Sequence, residues 1–353
     1  MQSNFQPYQN AFYAYFKLKK TVLDDIILNG CQITEVDKYP MLGLIINNKL
    51  NWSDHAEHII ARASKKLTTI NRIRHVLPRL ALENLYTSMV RPILEYANIL
   101  YNNCTLSIDR NIESVQRRAA LICTGAYKHT EHQKLLSELG WHRLNIRRKL
   151  HQLCMIFKIK KNNAPQYVTN LFPNPVTPSY NLRNQTNLPI PYYRLKSSST
   201  SFIPNSIRLW NSIPITTRSA TSINIFKKLI TPPLQNCYYY KLCSGQNGKL
   251  LTRLRLGLSA LNAHRFKYNI HNTPYCPHCN TVPETTIHYF FSCPAHQLAR
   301  THFLNLLTHE LDLDTSNPIT TLDTILHGKI HPNNYSLLLQ FIYQYFEFTG
   351  RFK

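Results

Sequence analysis

Three cysteines and a histidine near the C-terminal end of the sequence have the spacing of a metal site. Cys276 and Cys279 are separated by two residues, and His288 and Cys293 follow after gaps of eight and four residues. The first pair can lie on one tight turn, and the second pair can complete the tetrahedral shell that Zn²⁺ prefers. Because four protein ligands leave no position for water, we expect a structural zinc site rather than a catalytic one.

Other interpretations of this cluster stay open at the level of sequence. The same residues could be buried cysteines beside a surface histidine, without a metal ion. His278 and His296 lie close enough along the chain to compete with His288 for the fourth position. The aromatic residues Tyr289, Phe290 and Phe291 could pack beneath the metal or stack on nucleic-acid bases.

The overall charge indicates a polyanionic partner. The 353 residues include 41 Lys and Arg against 18 Asp and Glu, a formal net charge of +23 that is spread along the chain. A folded chain this basic usually binds a polyanion, so we expect RNA, DNA or both, with an anionic membrane surface second. The sequence has no apolar run of membrane-spanning length and no signal-peptide core, so we expect an intracellular protein of the nucleus or cytoplasm.

Cysteine and glycine usage narrows the possible functions. Outside the cluster the cysteines lie singly, and the helical patterns around Cys104, Cys123 and Cys154 favour buried free thiols over disulfides. The nine glycines form no phosphate-cradling loop, which argues against a nucleotide-binding domain. We therefore expect no small-molecule substrate, and with nucleic acid preferred over a membrane surface as the polyanion, we expect no membrane partner.

Basic residues recur on the faces of the predicted helices. In the helix that starts near Ser53, cationic positions lie opposite an apolar stripe from Ala56 to Ile73. Such a face can be merely solvated, but few acids offset these charges, and we predict phosphate contacts that give salt dependence without sequence specificity. The candidate nucleic-acid-binding residues are Arg62, Lys65, Lys66, Arg72, Arg74, Arg117, Arg118, Arg147, Arg148, Lys149, Arg253, Arg255, Arg265 and Lys267, with Lys249 and His264 in the last patch.

Periodicity predicts a mainly α fold with a small β segment, a helical bundle and a helical C-terminal domain that holds the zinc site. The predicted order is a disordered or poorly packed N-terminus (1–25), a β segment of two or three antiparallel strands (26–52), a helical bundle (53–163), a linker or extended segment (164–200) and a C-terminal domain (201–353) with a zinc module (276–293). Helices are predicted over about 53–73, 81–103, 107–124, 145–161, 205–213, 222–230, 249–266 and 334–352. We expect Ser53 to cap the first helix, Pro92 to kink or end the second, and Trp210 to lie in a core.

Several segments form an ordered series of short motifs. They are YPMLGL with LNW (39–44 and 50–52), LYTSMVRPILEY (85–96), IESVQRRA (112–119), SFIPNSIRLWNSIP (201–214), the cysteine–histidine cluster and the closing TGRF (349–352). This series resembles the C-terminal part of non-LTR, LINE-type retrotransposon reverse transcriptases of the jockey-like kind. The resemblance covers the chain from about residue 28 to its end.

The resemblance implies the end of a palm, a thumb-like bundle and a zinc-containing C-terminal domain. In this family the thumb grips the template–primer duplex through its phosphates, and His288 matches the family's histidine position. In an intact element this part would position RNA template and DNA target for target-primed reverse transcription. Pro40 departs from the family pattern and could disturb its strand.

The resemblance also implies that the catalytic palm is missing, because the family holds its metal ions with an aromatic-x-Asp-Asp hairpin and an upstream aspartate. Asp24 and Asp25 lack the aromatic residue and lie too close to the Leu-Gly strand. We therefore expect no catalytic residue, no endonuclease domain, and a chain that binds nucleic acid without polymerising it.

Other functions fit parts of the same sequence. A zinc deaminase would use His-x-Glu followed by Pro-Cys-x-x-Cys, and His55 and Glu57 supply the first element. They lie far from Cys276 in sequence, and this reading leaves His288 and Cys293 without a role. A retained or host-adopted zinc protein that binds RNA, DNA or protein, and a decayed element without function, would both carry the same motifs.

Overall fold

The computed structural model describes residues 27–28, 31–32, 36–101, 104–173, 187–194, 196–234 and 238–352. This part of the chain is mainly helical, as predicted, and its strands form two short hairpins. The predicted N-terminal segment, with Asp24 and Asp25, and residues 174–186 of the predicted linker lie outside the described residues. Within the described residues, no helix combines the length and the apolar character needed to cross a membrane.

Helices follow one another from Ser53 to the C-terminal end of the described chain. They are α1 (Ser53–Ile73), α2 (Arg79–Leu85), α3 (Arg91–Glu95), α4 (Leu106–Thr124), α5 (His132–Leu139), α6 (Leu144–Lys160), α7 (Gln166–Thr169), α8 (Lys196–Ser199), α9 (Phe202–Ser212), α10 (Ile215–Arg218), α11 (Ile223–Ile230), α12 (Tyr238–Leu242), α13 (Gly245–Arg255), α14 (Asn262–Lys267), α15 (Gln297–Leu311), α16 (Pro318–His327) and α17 (Tyr335–Thr349). π-Helical turns span Tyr86–Val90 and His288–Ser292, and 3₁₀ turns span Pro294–His296 and Pro332–Asn334.

Two antiparallel hairpins precede these helices. The strands are β1 (Ile27–Leu28), β2 (Cys31–Gln32), β3 (Lys38–Met41) and β4 (Leu44–Asn47), paired β1 with β2 and β3 with β4. Leu42 and Gly43 connect β3 to β4, and both have positive φ, as a tight two-residue hairpin turn requires.

Pro40 does not disturb its strand. It lies within β3 opposite Ile45, and the next pair, Met41 and Leu44, closes the hairpin. In a two-residue hairpin the closing pair is hydrogen bonded, and the neighbouring pair is not. The backbone nitrogen of Pro40, in that neighbouring pair, therefore faces away from the partner strand. Proline costs no ladder hydrogen bond at such a position.

The chain divides into two compact units, each built from separate stretches of sequence. Of the described residues, the first unit contains those up to 66 and those within 90–115 and 143–232, and the second contains those within 67–89 and 116–142 and those from 233 onward. The sequential domain boundaries expected from the sequence stay a prediction. The cysteine–histidine cluster belongs to the second unit.

The core of the first unit lies where α6 meets α9 and α11. Ile156, Phe157, Ile207 and Phe226 are almost completely buried there, and the rings of Phe157 and Phe226 stack with centroids 4.4 Å apart. Trp210 is only 5% exposed and belongs to the same cluster, so the prediction of a core tryptophan is confirmed.

The ends of two helices differ from the sequence prediction. Ser53 is the first residue of α1 rather than its cap, because Trp52 O accepts the first helical hydrogen bond, from the Ala56 N–H at 2.9 Å, while Asn51 Oδ1 accepts the Ser53 N–H at 3.2 Å. The second predicted helix ends at Glu95 rather than near residue 103, and a π-helical turn precedes Pro92. Proline lacks an N–H and crowds the carbonyl four residues earlier, and the wider turn accommodates both effects without ending the helix there.

The predicted basic helix over 249–266 is two helices in the structure, α13 and α14. Gly257 ends the first of them with a left-handed backbone (φ +71). Its N–H bonds to Leu254 O at 3.1 Å and the Leu258 N–H bonds to Arg253 O at 3.1 Å, the two hydrogen bonds of a Schellman motif. The helical periodicity of the surrounding residues concealed this break.

The core of the second unit is formed mainly by α13, α15, α16 and α17. Large apolar side chains from these helices interdigitate and are buried: Leu251, Leu254, Phe303, Leu307, Ile325, Leu338, Ile342, Tyr345 and Phe346. Helix α5, which the sequence analysis did not predict, belongs to the same unit and ends at Gly140 in the left-handed conformation.

Candidate metal centre

Two local structures present the predicted ligands in pairs. Cys276 and Cys279 lie on a tight turn that is closed by hydrogen bonds from the Cys276 N–H to Val282 O at 3.0 Å and from the Asn280 N–H to Cys276 O at 2.9 Å. His288 and Cys293 lie at the two ends of a π-helical turn, where the Cys293 N–H donates to His288 O at 2.8 Å. This five-residue closure explains the four-residue gap between the second pair of ligands.

The four predicted residues meet at one point. Among the described residues, the possible ligand atoms of Cys276, Cys279, His288 and Cys293 all lie within 4.8 Å of one another. Cys276 Sγ is 3.8 Å from Cys293 Sγ, and Cys279 Sγ is 3.5 Å from His288 Nε2. A disulfide needs sulfur atoms ~2.05 Å apart, so these cysteines are free thiols that could hold a metal ion together with the histidine.

The electrostatic surroundings of the thiols differ. A hydrogen bond from the Thr281 hydroxyl, together with backbone N–H groups, lowers the pKa of Cys279 to about 6. Burial raises the pKa of Cys293 to about 11. A metal ion binds the thiolate form, so ion binding would offset the cost of ionising the buried Cys293.

His288 directs one ring nitrogen into the cluster, as a metal ligand would. It is 5% exposed, one ring nitrogen faces Cys279, and the other, Nδ1, is buried without a hydrogen-bond partner in the described part of the chain. The rivals His278 and His296 instead pack against each other, with ring centroids 5.0 Å apart, outside the cluster.

The aromatic residues between His288 and Cys293 belong to the core. Tyr289 and Phe290 are 1% and 0% exposed. The Tyr289 hydroxyl bonds to Thr349 Oγ1 at 2.7 Å, the Tyr345 hydroxyl donates to Tyr289 O at 2.7 Å, and Phe290 stacks on Tyr345. Tyr289 and Phe290 therefore pack the π-helical turn of the cluster against helix α17 and are not available to stack on bases. Phe291 is half-buried against the same core.

Glu284 supports the centre, and the sequence analysis missed it. Its carboxylate is buried, accepts the Asn262 N–H at 2.7 Å, and pairs with Arg351, whose Nη2 lies 2.7 Å from Oε2. The contact links the metal-binding segment to the closing TGRF residues and to the start of α14. The available signal was that Glu284 is the single acid between Tyr275 and Pro294.

The predicted phosphate-binding residues fall into three groups by exposure. The exposed ones are Arg62, Lys65, Lys66, Arg72, Arg74, Arg118, Lys149 and Lys267. Arg117, Arg147, Arg253, Arg265 and the neighbouring Lys249 and His264 are half-buried. The side chains of Arg148 and Arg255 are only 2% and 3% exposed.

In the first unit, two arginines of α6 form ion pairs with carboxylates of the same unit. Arg148 pairs with Asp109, and Arg147 donates to the Glu95 carboxylate through Nε and Nη2, with an Nη2–Oε2 distance of 3.0 Å. Burial therefore removes Arg148 from the predicted phosphate-binding surface. Arg147 keeps partial exposure, but a carboxylate already neutralises its charge.

In the second unit, Arg255 lies in a buried ion-pair network with Arg79 and Glu138, which we call the Arg–Glu–Arg network. Arg255 donates to both Glu138 carboxylate oxygens at 2.8 and 2.6 Å, and Arg79 donates to Glu138 Oε1 at 2.7 Å. Arg79 also binds Glu83 at 2.8 Å, so charges of both signs balance. The prediction of a phosphate contact for Arg255 is corrected accordingly.

Comparison with known proteins does not place the chain in a family. No family model matches the chain, and neither a curated protein nor a solved structure matches it significantly.

Proposed function

We propose that this chain is the nucleic-acid-binding thumb and C-terminal portion of a non-LTR retrotransposon reverse transcriptase, acting inside the cell. The observation that carries the proposal is the arrangement of α1. Most of its apolar stripe is buried, with Ala63 and Leu67 no more than 3% exposed, although Ile73 at its end is 42% exposed. Its predicted cationic residues are exposed to solvent. A helix of this kind presents positive charge to a polyanion while it contributes to a core.

Contacts between the resemblance-bearing motifs support the proposal. Tyr86 of LYTSMVRPILEY is buried, and its hydroxyl donates at 2.8 Å to the side chain of Gln116 in IESVQRRA. The two motifs are distant in sequence, so their characteristic residues serve one packing arrangement in the second unit. Trp210 of the IRLWNSIP motif is likewise a core residue.

We propose Zn²⁺ as the ion of the Cys276–Cys279–His288–Cys293 cluster. With Zn–S bonds of ~2.3 Å and a Zn–N bond of ~2.0 Å, tetrahedral geometry separates two sulfurs by ~3.8 Å and a sulfur from a nitrogen by ~3.5 Å. The observed distances of 3.8 and 3.5 Å have these values. Three thiolates and one imidazole also suit zinc better than the hard, oxygen-preferring cations. Such an ion would be structural, since the protein fills its shell.

Binding without polymerisation is the activity we propose. The test is fluorescence anisotropy of a labelled RNA–DNA duplex with the purified chain at increasing salt, together with a primer-extension assay in Mg²⁺. We expect the affinity to fall steeply as the salt concentration rises. Each phosphate contact makes the slope of the logarithm of the binding constant against the logarithm of salt concentration more negative by about 0.9. We also expect no extended primer. Salt-independent binding or no binding would contradict the binding role, and clear extension would contradict the proposal that this chain does not polymerise.

A further inference from the structure

A groove in the second unit gathers cationic side chains. Its volume is about 360 Å³, and its walls include Arg74 and His75 beyond α1, Gly125 after α4, and Gln246, Lys249 and Arg253 of α13. We call it the basic groove. We propose that the basic groove binds phosphate groups of a nucleic-acid backbone, an inference that rests on the proposed function and assigns it a site.

No acidic side chain of the described residues lines the basic groove. Arg74, Lys249 and Arg253 form no ion pair with a described carboxylate, although Arg74 donates to the Asn71 side chain at 3.0 Å. The buried Arg255, on the same helix as Arg253, is by contrast fully paired with Glu138. Like charges that share a concave surface repel one another, and a bound anion relieves that repulsion.

Arg253 is held in place by contacts that leave hydrogen-bond donors of its guanidinium group available. Its Nε donates to Gly125 O at 2.8 Å, and its guanidinium lies 4.3 Å from the centre of the Tyr127 ring. The remaining contact, from Nη1 to the Tyr127 hydroxyl, is long at 3.4 Å, and Nη2 makes no hydrogen bond within the described residues. A fixed guanidinium with unused Nη donors suits recognition of phosphate oxygens.

Lys249 approaches the groove because residue 125 is a glycine. Gly125 has φ +65, and a Cβ atom there would come within 2.7 Å of Lys249 Cγ. The lysine stem therefore lies directly against the backbone at the end of α4. Lys249 lies one helical turn before Arg253 on α13, and both line the basic groove, so its ammonium supplies a second cation there.

The partial negative charge at the C-terminal end of helix α4 does not neutralise these cations. The C-terminal carbonyls of a helix carry a partial charge equivalent to about half a negative elementary charge. One of the nearby carbonyls, Gly125 O, already accepts from Arg253. Three full positive charges exceed this partial charge, so the basic groove stays positive.

The surroundings of the basic groove favour a polymeric anion over a single phosphate. Arg118 is exposed on α4 one turn before the groove residue Leu121, and Lys128 is exposed just after Tyr127. Positive charge therefore continues on the helix and loop that form one wall. A repeating phosphodiester backbone can occupy such an extended path.

The test compares two double variants with equal net charge in the anisotropy assay. In R74Q/K249Q the basic groove loses two cations, and in K134Q/K329Q the same unit loses two exposed cations elsewhere. We expect the groove variant to bind the duplex roughly tenfold more weakly than the control, with a salt slope smaller by about 2, the value for two lost phosphate contacts. Circular dichroism and metal content should be unchanged in both variants.

The outcomes separate the two proposals. If the wild-type chain shows no salt-dependent binding, both the proposed function and the basic groove are contradicted. If the wild-type chain binds but the two double variants behave alike, only the basic groove is contradicted. The same variants are tested on phosphatidylserine vesicles, and loss of vesicle binding with unchanged duplex binding would overturn the proposal in favour of a membrane surface.

Discussion

The second unit holds two buried polar centres whose parts are spaced very differently along the chain. The ligands of the metal centre lie between Cys276 and Cys293. The Arg–Glu–Arg network joins Arg79, Glu138 and Arg255, which come from α2, α5 and α13. The metal centre thus closes a short segment, whereas the network connects helices that are remote in sequence.

The two centres also differ in what satisfies their charge. The cysteines of the metal centre could hold an ion taken from solution, and the proposed zinc would order the segment around it. The network needs no external group, because the carboxylates of Glu83 and Glu138 offset the two guanidinium groups. Loss of the ion should therefore act on the metal segment first, while loss of a carboxylate should act on helix packing.

The largest expected effect is that of removing the proposed zinc. Structural zinc sites bind with apparent free energies of about 10–16 kcal/mol at neutral pH, and this energy is coupled to folding. Cys276→Ser or strong chelation should therefore unfold the segment around the cluster and expose Tyr289 and Phe290 to solvent. Metal analysis should find one zinc per wild-type chain and almost none in the variant, and limited proteolysis should cut the variant near the cluster.

A matched control uses a cysteine outside the cluster. Cys104 is a half-buried free thiol of the first unit, so Cys104→Ser should keep its zinc and its proteolytic pattern. Normal zinc content and normal proteolysis in Cys276→Ser would contradict the metal centre.

The next effect is that of breaking the Arg–Glu–Arg network. Glu138→Gln leaves two buried guanidinium groups facing a neutral amide, and removal of one partner from a buried ion pair typically costs about 3–5 kcal/mol. Urea denaturation should show this loss in the free energy of unfolding, with zinc content unchanged. Glu131→Gln is the control, since Glu131 is exposed at the start of the same helix. Equal stability of the two variants would contradict a stabilising role for the network.

The metal cluster could be predicted from the sequence and the Arg–Glu–Arg network could not, because their residues are spaced differently along the chain. Local spacing predicts the metal cluster because a tight turn and a helical turn bring nearby residues together. It also predicts the buried stripe of α1. Nothing local distinguishes Arg255 from Arg253, which are both basic residues of α13, yet one is buried against Glu138 and the other lines the basic groove. That difference depends on where α5 packs, and α5 was not predicted.

A smaller effect is expected on acidification, and it should separate the two centres. Burial alone would raise the pKa of Glu138, but the charges of Arg255 and Arg79 and their hydrogen bonds outweigh it and hold the pKa below its ordinary value of 4.5. The stabilisation is therefore complete above the unfolded pKa and is lost as pH falls through the lower folded pKa.

The measurement compares wild type with Glu138→Gln by denaturation at a series of pH values. The difference in unfolding free energy should shrink below about pH 4.5, where the wild-type carboxylate begins to protonate in the unfolded chain. Zinc release, followed with a coloured chelator, should occur at the same pH in both proteins, because thiolate and imidazole protonation controls it. A stability difference that stays constant down to complete acid unfolding would contradict the ionised network.

The smallest expected effect concerns the contact that fastens the metal segment to the C-terminal residues. Arg351→Gln would leave the buried Glu284 carboxylate with the Asn262 N–H but without its charged partner, at a cost of about 1–3 kcal/mol. Lys329→Gln breaks the exposed ion pair with Asp323 and should cost at most about 1 kcal/mol. Both values are measured by urea denaturation of the zinc-loaded protein. If the Arg351 variant loses no more stability than the Lys329 variant, the metal centre is held by its ion and its aromatic packing alone, and Glu284 only satisfies the backbone of α14.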